Sequence, residues 1–158
     1  MFKKKIKQIL KRNRWKKICI IIDKNLKRVS IINQFIISLK LYKPHIITCD
    51  ISEPTYKHLE EKRISNNKIK IDVFIGIGGG SSIDFAKGIS VLYTNDKPAI
   101  RYRGFNKFKN PIKPIIAIPT TSGTGSEITP NASFINHNDK RKMGINGEAI
   151  KPKYALLD

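Results

Sequence analysis

Read from its start, the chain opens with a basic stretch, residues 3–17, whose apolar positions Phe2, Ile6, Ile9 and Leu10 fall on one stripe of a helix. Such a stripe packs against a sheet or lies on a membrane surface, and packing is the expectation here. Residues 17–22 follow as a short, continuous, isoleucine-rich run that reads as a fully buried strand ending at Asp23. A helical pattern over 26–41 stops ahead of Pro44, and residues 45–48 form the next strand. The alternation then repeats: a charged helix over 55–65, a buried strand over 71–77, and a helix over 81–93 with Ile83, Ala86, Lys87 and Ser90 at helical spacing. A polar, basic and aromatic connection at 98–111 leads into a last buried strand, 115–118, which meets Pro119. Strands alternating with helices of this length predict an α/β fold with a doubly wound parallel sheet.

Length and composition narrow this picture without redirecting it. With 158 residues the chain suffices for a single domain spanning 1–158 around one core, and no repeat or low-complexity linker divides it. The formal net charge of +19 would by itself suggest nucleic acid or a membrane surface as partner. Its lysines are spread along the whole chain, however, and a basic surface specifies a partner only when it is localised, so neither partner is expected. Cys19 and Cys49 fall in predicted buried strands and read as reduced core thiols. The N-terminal stretch lacks the apolar segment of a signal peptide and no run approaches transmembrane length, so a cytoplasmic location is expected.

Two segments carry chemistry. In Ile75-Gly-Ile-Gly-Gly-Gly-Ser-Ser-Ile-Asp84-Phe-Ala-Lys87 a buried strand runs through glycines straight into a helix. Glycines let a ligand approach the backbone, and the helix start offers unpaired N–H groups at the positive end of its dipole, a site for a pyrophosphate. The usual dinucleotide fingerprint G-x-G-x-x-G is not matched, because Ser81 stands in place of the third glycine. Ser81 and Asp84 also read as a capping-box pair. In Ile118-Pro-Thr-Thr-Ser-Gly-Thr-Gly-Ser-Glu127 a second strand end opens into hydroxyls and glycines, which suit phosphate, ribose or amide groups. Thr124 and Glu127 there read equally as a reciprocal cap.

Together, Gly-Gly-Gly-Ser-x-x-Asp-x-x-Lys and, about thirty residues later, Pro-Thr-Thr-x-Gly-Thr-Gly-Ser-Glu resemble the iron-containing (group III) alcohol dehydrogenase family, whose relatives include glycerol dehydrogenase and dehydroquinate synthase. The resemblance runs from about Lys16 to Asp158, with Glu53-Pro54-Thr55 at the family's Pro-Thr turn and residues 152–158 like its Pro-x-x-Ala-Leu-Leu-Asp segment. It implies the N-terminal, Rossmann-like nucleotide-binding domain of such an enzyme. Residue by residue, it implies that Gly79, Gly80, Ser81 and Asp84 hold the pyrophosphate region and that Thr120, Thr121 and Thr124 line the cofactor near its phosphates and nicotinamide. Lys142 matches the lysine that reaches the cofactor ribose, and Asp23 the acid that accepts the adenosine ribose hydroxyls. A carboxylate there repels a 2′-phosphate, so NAD is expected over NADP.

The resemblance further implies hydride transfer between a metal-bound alcohol or aldehyde and nicotinamide, with this chain as the cofactor half. In the family an aspartate and three histidines of a following all-helical domain bind Fe²⁺ or Zn²⁺. His45, His58 and His137 are scattered here without a ligand pattern, so no metal ligand and no catalytic residue is assigned. The chain is accordingly expected to end before that metal domain, to start short of the family's first strand, to be inactive alone, and to work as a homo-oligomer or with the missing half. Tyr102-x-Gly-Phe105, Lys109-Asn-Pro111 and Lys142-x-Gly-Ile-Asn146 resemble the branch that includes 3-deoxy-D-manno-octulosonate 8-oxidase, implying a sugar among the candidate substrates. The competing readings are an inactive nucleotide-binding fragment and a basic anion- or nucleic-acid-binding protein, the latter stacking bases on Tyr102, Phe105 and Phe108.

Overall fold

The structure is a computed structural model that describes residues 2–50, 53–65 and 68–157; the side chain of Phe2, predicted to join the N-terminal stripe, and the final Asp158 lie outside the described residues. Helix α1 (Phe2–Arg12) precedes strand β1 (Ile18–Asp23), helix α2 (Ser30–Ser38), strand β2 (His45–Cys49) and helix α3 (Tyr56–Glu61). Strand β3 (Val73–Gly78) runs into helix α4 (Gly80–Thr94). Strands β4 (Gly104–Phe105), β5 (Ile115–Pro119), β6 (Asn131–Ile135), β7 (Lys142–Asn146) and β8 (Tyr154–Ala155) complete the order. The main sheet has the order β2-β1-β3-β5-β8, with every pair parallel. A second sheet, β4-β7-β6, has β6 and β7 antiparallel and β4 parallel to β7.

The isoleucine runs became strands because both faces of the main sheet are covered. On one face Ile18, Ile20 and Ile22 of β1 join Ile6 and Leu10 of α1, Phe35 of α2 and Ile75 and Ile77 of β3. Both Ile6 and Leu10 are 0% exposed, so the N-terminal stripe is spent on this core. On the other face Cys19 and Ile21 join Leu59 of α3, Phe74, and Phe85, Ala86 and Ile89 of α4. Cys19 and Cys49 are buried, as expected, and burial pushes the Cys19 thiol up to about 12. Among the described residues no helix is long and apolar enough to cross a membrane.

Predicted helices are trimmed for local reasons. Residues 3–17 stop being helical at Arg12, where Arg14 takes φ 57° and the Trp15 N–H reaches back to the Leu10 carbonyl at 2.9 Å, a left-handed helix stop. The 26–41 pattern breaks into a 3₁₀ turn (Asn25–Arg28), α2 and a second 3₁₀ turn (Lys40–Tyr42), because Val29 is extended and Lys43, before Pro44, is left-handed. The 55–65 helix keeps only Tyr56–Glu61, opened by a capping box between Thr55 and His58. The second sheet was not anticipated: the connection at 98–111 contains β4, and β6 and β7 follow the last predicted strand, as does β8 at the edge of the main sheet.

Helix α4 lies between the two sheets, against β1, β3 and β5 on one side and β6 on the other, and Ser82 to Tyr93 are all buried. It packs tightly at Gly88, where a Cβ would stand 2.7 Å from Leu59 Cδ2 of α3 and 2.8 Å from Phe134 Cζ of β6. Gly88→Ala is therefore expected to overpack the core and cost roughly 1–3 kcal/mol, seen as a lower urea midpoint with unchanged m-value.

Candidate functional site

The chain moves outward to β2 after β1, then returns to place β3 on the opposite side of β1. The C-terminal ends of β1 and β3 therefore flank a topological switch point, where open parallel sheets leave a crevice for ligands. A cleft of about 280 Å³ lies there, lined by Asp23, Asn25 and Leu26 after β1, Gly79 to Ser82 after β3, and Thr120 and Thr121 after β5.

Each wall has a local cause. Asp23 closes β1, and its Oδ1 accepts the Asn25 N–H at 2.7 Å, a short Asx turn that holds the carboxylate at the strand end. Gly78 closes β3 at φ 144°, a conformation that favours glycine, and a Cβ there would press to 2.6 Å on Ser82 Oγ and 3.4 Å on Asp23 Cβ. The Gly78 carbonyl accepts the Thr120 N–H at 3.0 Å, which fixes the start of the threonine turn beside the glycines. Gly79 is the N-cap of α4, and no side chain caps the helix. The positive end of a 15-residue helix buried from Ser82 to Tyr93 thus faces the cleft.

The missing third glycine of the dinucleotide fingerprint is compensated five residues before Ser81, inside the strand. In that motif the third glycine serves close packing of helix on strand. Here Gly76 does this inside β3, since a Cβ on it would meet Ala86 Cβ at 3.0 Å and Ile83 Cα at 3.2 Å. Ser81, at the fingerprint position, lines the cleft instead.

Of the residues singled out from the sequence, Asp23, Gly79, Gly80, Ser81, Thr120 and Thr121 line the cleft together. Thr124 is beside it: a Cβ on Gly80 would lie 3.1 Å from Thr124 Cβ and 3.1 Å from Ser126 Oγ. Asp84 and Lys142 are placed elsewhere. Lys142 is exposed on β7 in the second sheet, 3.7 Å from Glu53 Oε1. Asp84 is turned into the protein, its Oδ2 accepting the Ser133 N–H at 2.9 Å and its Oδ1 3.6 Å from Lys87 Nζ.

Both capping-box readings are corrected by these contacts. Gly79 is the N-cap, so Ser81 and Asp84 sit inside α4, and the Asp84 carboxylate is engaged by β6. Thr124 precedes a turn and no helix; its Oγ1 accepts the Ser126 N–H at 3.4 Å, and Glu127 Oε2 is buried without a hydrogen-bond partner among the described residues. Sequence reasoning passed over Asn25, Leu26 and Ser82 as cleft residues; the two-residue offset from Asp23 to Asn25 was the available signal for the first.

Electrostatically the ground beneath the cleft is unusual. Lys87 is 0% exposed and donates to the carbonyls of Thr129 at 2.9 Å and Asn131 at 2.6 Å. Burial pushes the Lys87 ammonium down, against the attraction of Asp84 and Glu127, and pushes the Asp84 carboxyl up, against the Ser133 N–H and Lys87. No group of His, Cys, Asp and Glu among the described residues is arranged to hold a metal ion. His58 and His137 do approach, with ring centroids 6.4 Å apart, but His58 Nδ1 already accepts the Thr55 N–H at 3.3 Å. Among the described residues no donor set fits the metal that the resemblance implies.

Comparison with known proteins agrees with the geometry. The family model for iron-containing alcohol dehydrogenase matches residues 3–158. The mitochondrial hydroxyacid-oxoacid transhydrogenase of Xenopus tropicalis is 35% identical over 159 residues, a match covering 89% of this chain and 32% of that protein. The 4-hydroxybutyrate dehydrogenase of Cupriavidus necator is 37% identical over 111 residues, covering 68% of this chain and 29% of that protein. Among solved structures, sulfoacetaldehyde reductase from Bifidobacterium kashiwanohense in complex with NAD+ superposes with a TM-score of 0.86 at 24% identity, covering 99% of this chain and 42% of that one, a likeness of fold. The chain thus spans about a third of the length of the curated relatives it matches.

Gly78→Ala combines a left-handed backbone with a contact on Ser82, and we expect it to cost about 1–3 kcal/mol in chemical denaturation.

Proposed function

The chain belongs to the iron-containing alcohol dehydrogenase family, and we propose that it is the dinucleotide-binding half of an NAD-dependent dehydrogenase of short-chain alcohols or hydroxyacids. The observation that carries this reading is the cleft at the switch point, where an uncapped helix end, a run of glycines and a strand-end carboxylate converge. The α4 N-terminus and the glycine backbone suit the pyrophosphate, and the hydroxyls of Thr120 and Thr121 offer donors beside it. Asp23 suits the adenosine ribose as acceptor of its hydroxyls, which favours NAD over NADP.

When bound, the nicotinamide accepts a hydride from the carbinol carbon of the alcohol. The residues of this chain hold and orient the dinucleotide; none of them is assigned a step at the reacting carbon. We place the metal ligands, Fe²⁺ or Zn²⁺, and the substrate pocket outside the described residues, and treat residues 1–158 as one cofactor domain. Turnover then requires the metal ligands and the substrate pocket in addition to this cofactor domain. The relatives named above handle hydroxyacids and a short aldehyde, which supports a small substrate and gives the octulosonate reading no support. Two buried cysteine thiols are in keeping with the cytoplasm.

The basic, base-stacking alternative loses its main support. Tyr102 is 2% exposed and its hydroxyl accepts the Lys97 N–H at 2.8 Å, Phe108 packs against the core, and only Phe105 of the three is exposed. Lys142 and Asp84 remain family-derived candidates whose placement, away from the cleft lining, does not add to this reading.

The deciding experiment is a calorimetric titration of the purified chain with NADH, with Gly79→Val in parallel. A valine there would meet Thr121 Oγ1, 3.3 Å from its Cβ, and fill the cleft. Saturable binding weakened at least tenfold by the variant, with an unchanged melting curve, is the expected outcome. Absence of saturable binding by the unaltered chain would leave the inactive-fragment reading standing. In the same assay, Asp23→Ser should narrow the preference for NADH over NADPH by about tenfold, as expected when a repelling carboxylate is removed.

A further inference from the structure

Among charged side chains inside the fold, Lys87 is the one the dinucleotide reading leaves unused. It is fully buried, and its Nζ is surrounded by the carbonyls of Thr129 and Asn131, at 2.9 and 2.6 Å, with Asp84 Oδ1 at 3.6 Å. Asp84, one turn earlier on α4, accepts the Ser133 N–H at 2.9 Å through Oδ2. One turn of α4 is thus fastened to the segment 129–133 by charged groups of both signs. That segment is the far end of the threonine-glycine turn whose near end is fixed by the Thr120 bond to Gly78.

Between those two anchors the chain has little else to hold it. Thr120, Thr121, Ser122, Gly123 and Thr124 are exposed, and Gly123 and Gly125 take φ of 85° and 70°. A Cβ on Gly123 would meet nothing within 4 Å. The turn leans on the α4 N-terminus through Thr124 and Ser126 against Gly80 and Thr121 against Gly79. An ammonium taken out of water has a large desolvation cost, and a buried ion pair is often no more stabilising than a well-packed apolar replacement. Thr129 and Asn131 stand where the chain passes from the turn into β6, so the ammonium holds the carbonyls on both sides of that junction.

Resting on the proposed dinucleotide site, we infer that Lys87 and Asp84 are positioning residues that clamp the Thr120–Ser126 turn over the α4 N-terminus, and that neither touches the cofactor. This changes the role the family resemblance implies for Asp84, from a pyrophosphate contact to a support one layer below. It also explains why a motif that starts with glycines at the ligand ends with a lysine that no solvent reaches. The clamp sets how far the threonine hydroxyls stand from the glycine backbone, and hence the width of the cleft.

The test uses the full chain with the double variant Asp84→Asn/Lys87→Met, which removes both charges while keeping shape, and the single variant Asp84→Asn, which keeps an acceptor for Ser133. Two quantities are read: the Kd for NADH, and amide hydrogen exchange over residues 121–126. Positioning predicts at least tenfold weaker NADH binding in the double variant and about threefold in the single one, with faster exchange at 121–126 in both and global protection in β1 and β3 retained. Weakened binding with unchanged exchange would make Asp84 a cofactor contact and overturn the clamp, as would wild-type values of both quantities in any folded variant. If the unaltered chain binds no NADH, the dinucleotide reading fails on that result, and the exchange rates alone decide whether the clamp holds the turn. If the double variant does not fold, the single variant carries the same two readouts.

Discussion

Complete burial of helix α4 is the constraint to which the rest of the molecule answers. A helix covered on one side would show the usual split between an apolar and a polar face; α4 is buried from Ser82 to Tyr93 and so needs protein on every side. The main sheet supplies one side and the second sheet another, with α3 between. Contact that close excludes side chains at specific points, which is why Gly76 lies beneath Ala86 and Gly88 beneath Leu59 and Phe134. It also forces polar residues of α4 to find partners indoors: Ser90 donates to the Lys113 carbonyl at 2.8 Å, and Lys87 and Asp84 join the segment leading into β6. The end of the helix that escapes this enclosure is the one at Gly79, and it opens on the cleft.

The proposed dinucleotide site is therefore a product of packing as much as of chemistry. Glycines in the segment 76–80 divide the labour: Gly76 serves the helix–strand contact, Gly78 the turn, and Gly79 and Gly80 the walls of the cleft. The fingerprint of other dinucleotide folds distributes the same duties over different positions. A pattern search built on those positions misses this chain, whereas the physical requirements are met one by one.

What was legible in the sequence follows the same logic. Strands β1, β3 and β5 announce themselves because both their faces are buried, which makes isoleucine runs with no alternation to interpret. Strands β6 and β7 hide because they cover one side of a helix, so that only Ala132 and Phe134 in one and Ile145 in the other are buried, among polar neighbours. At two residues each, β4 and β8 are too short to carry a period. At the site, the glycines and threonines were readable because they are contiguous in sequence at strand ends. The partners of Lys87 were not: they are backbone carbonyls 42 and 44 residues away, and a carbonyl carries no sequence signature. The same blindness made Asp84 look like a cap, since its spacing from Ser81 fits one and its bond to Ser133 spans 49 residues.

The outermost strand of the main sheet has a bearing on how the chain reaches this state. Strand β8 pairs with β5, and Tyr154 within it packs edge-on against Trp15 at 6.2 Å while its hydroxyl accepts from Asn13 at 3.1 Å. Lys153 stands over the Trp15 ring at 5.3 Å. The turn that ends the first helix is thus completed by residues made some 140 positions later. During synthesis the opening helix emerges long before its lock exists, and has to wait, its basic face toward solvent, until nearly the whole domain has left the ribosome. Closure between such distant points is slow by its topology, so the lock on the turn at residues 13–15 is among the last contacts of the domain to form.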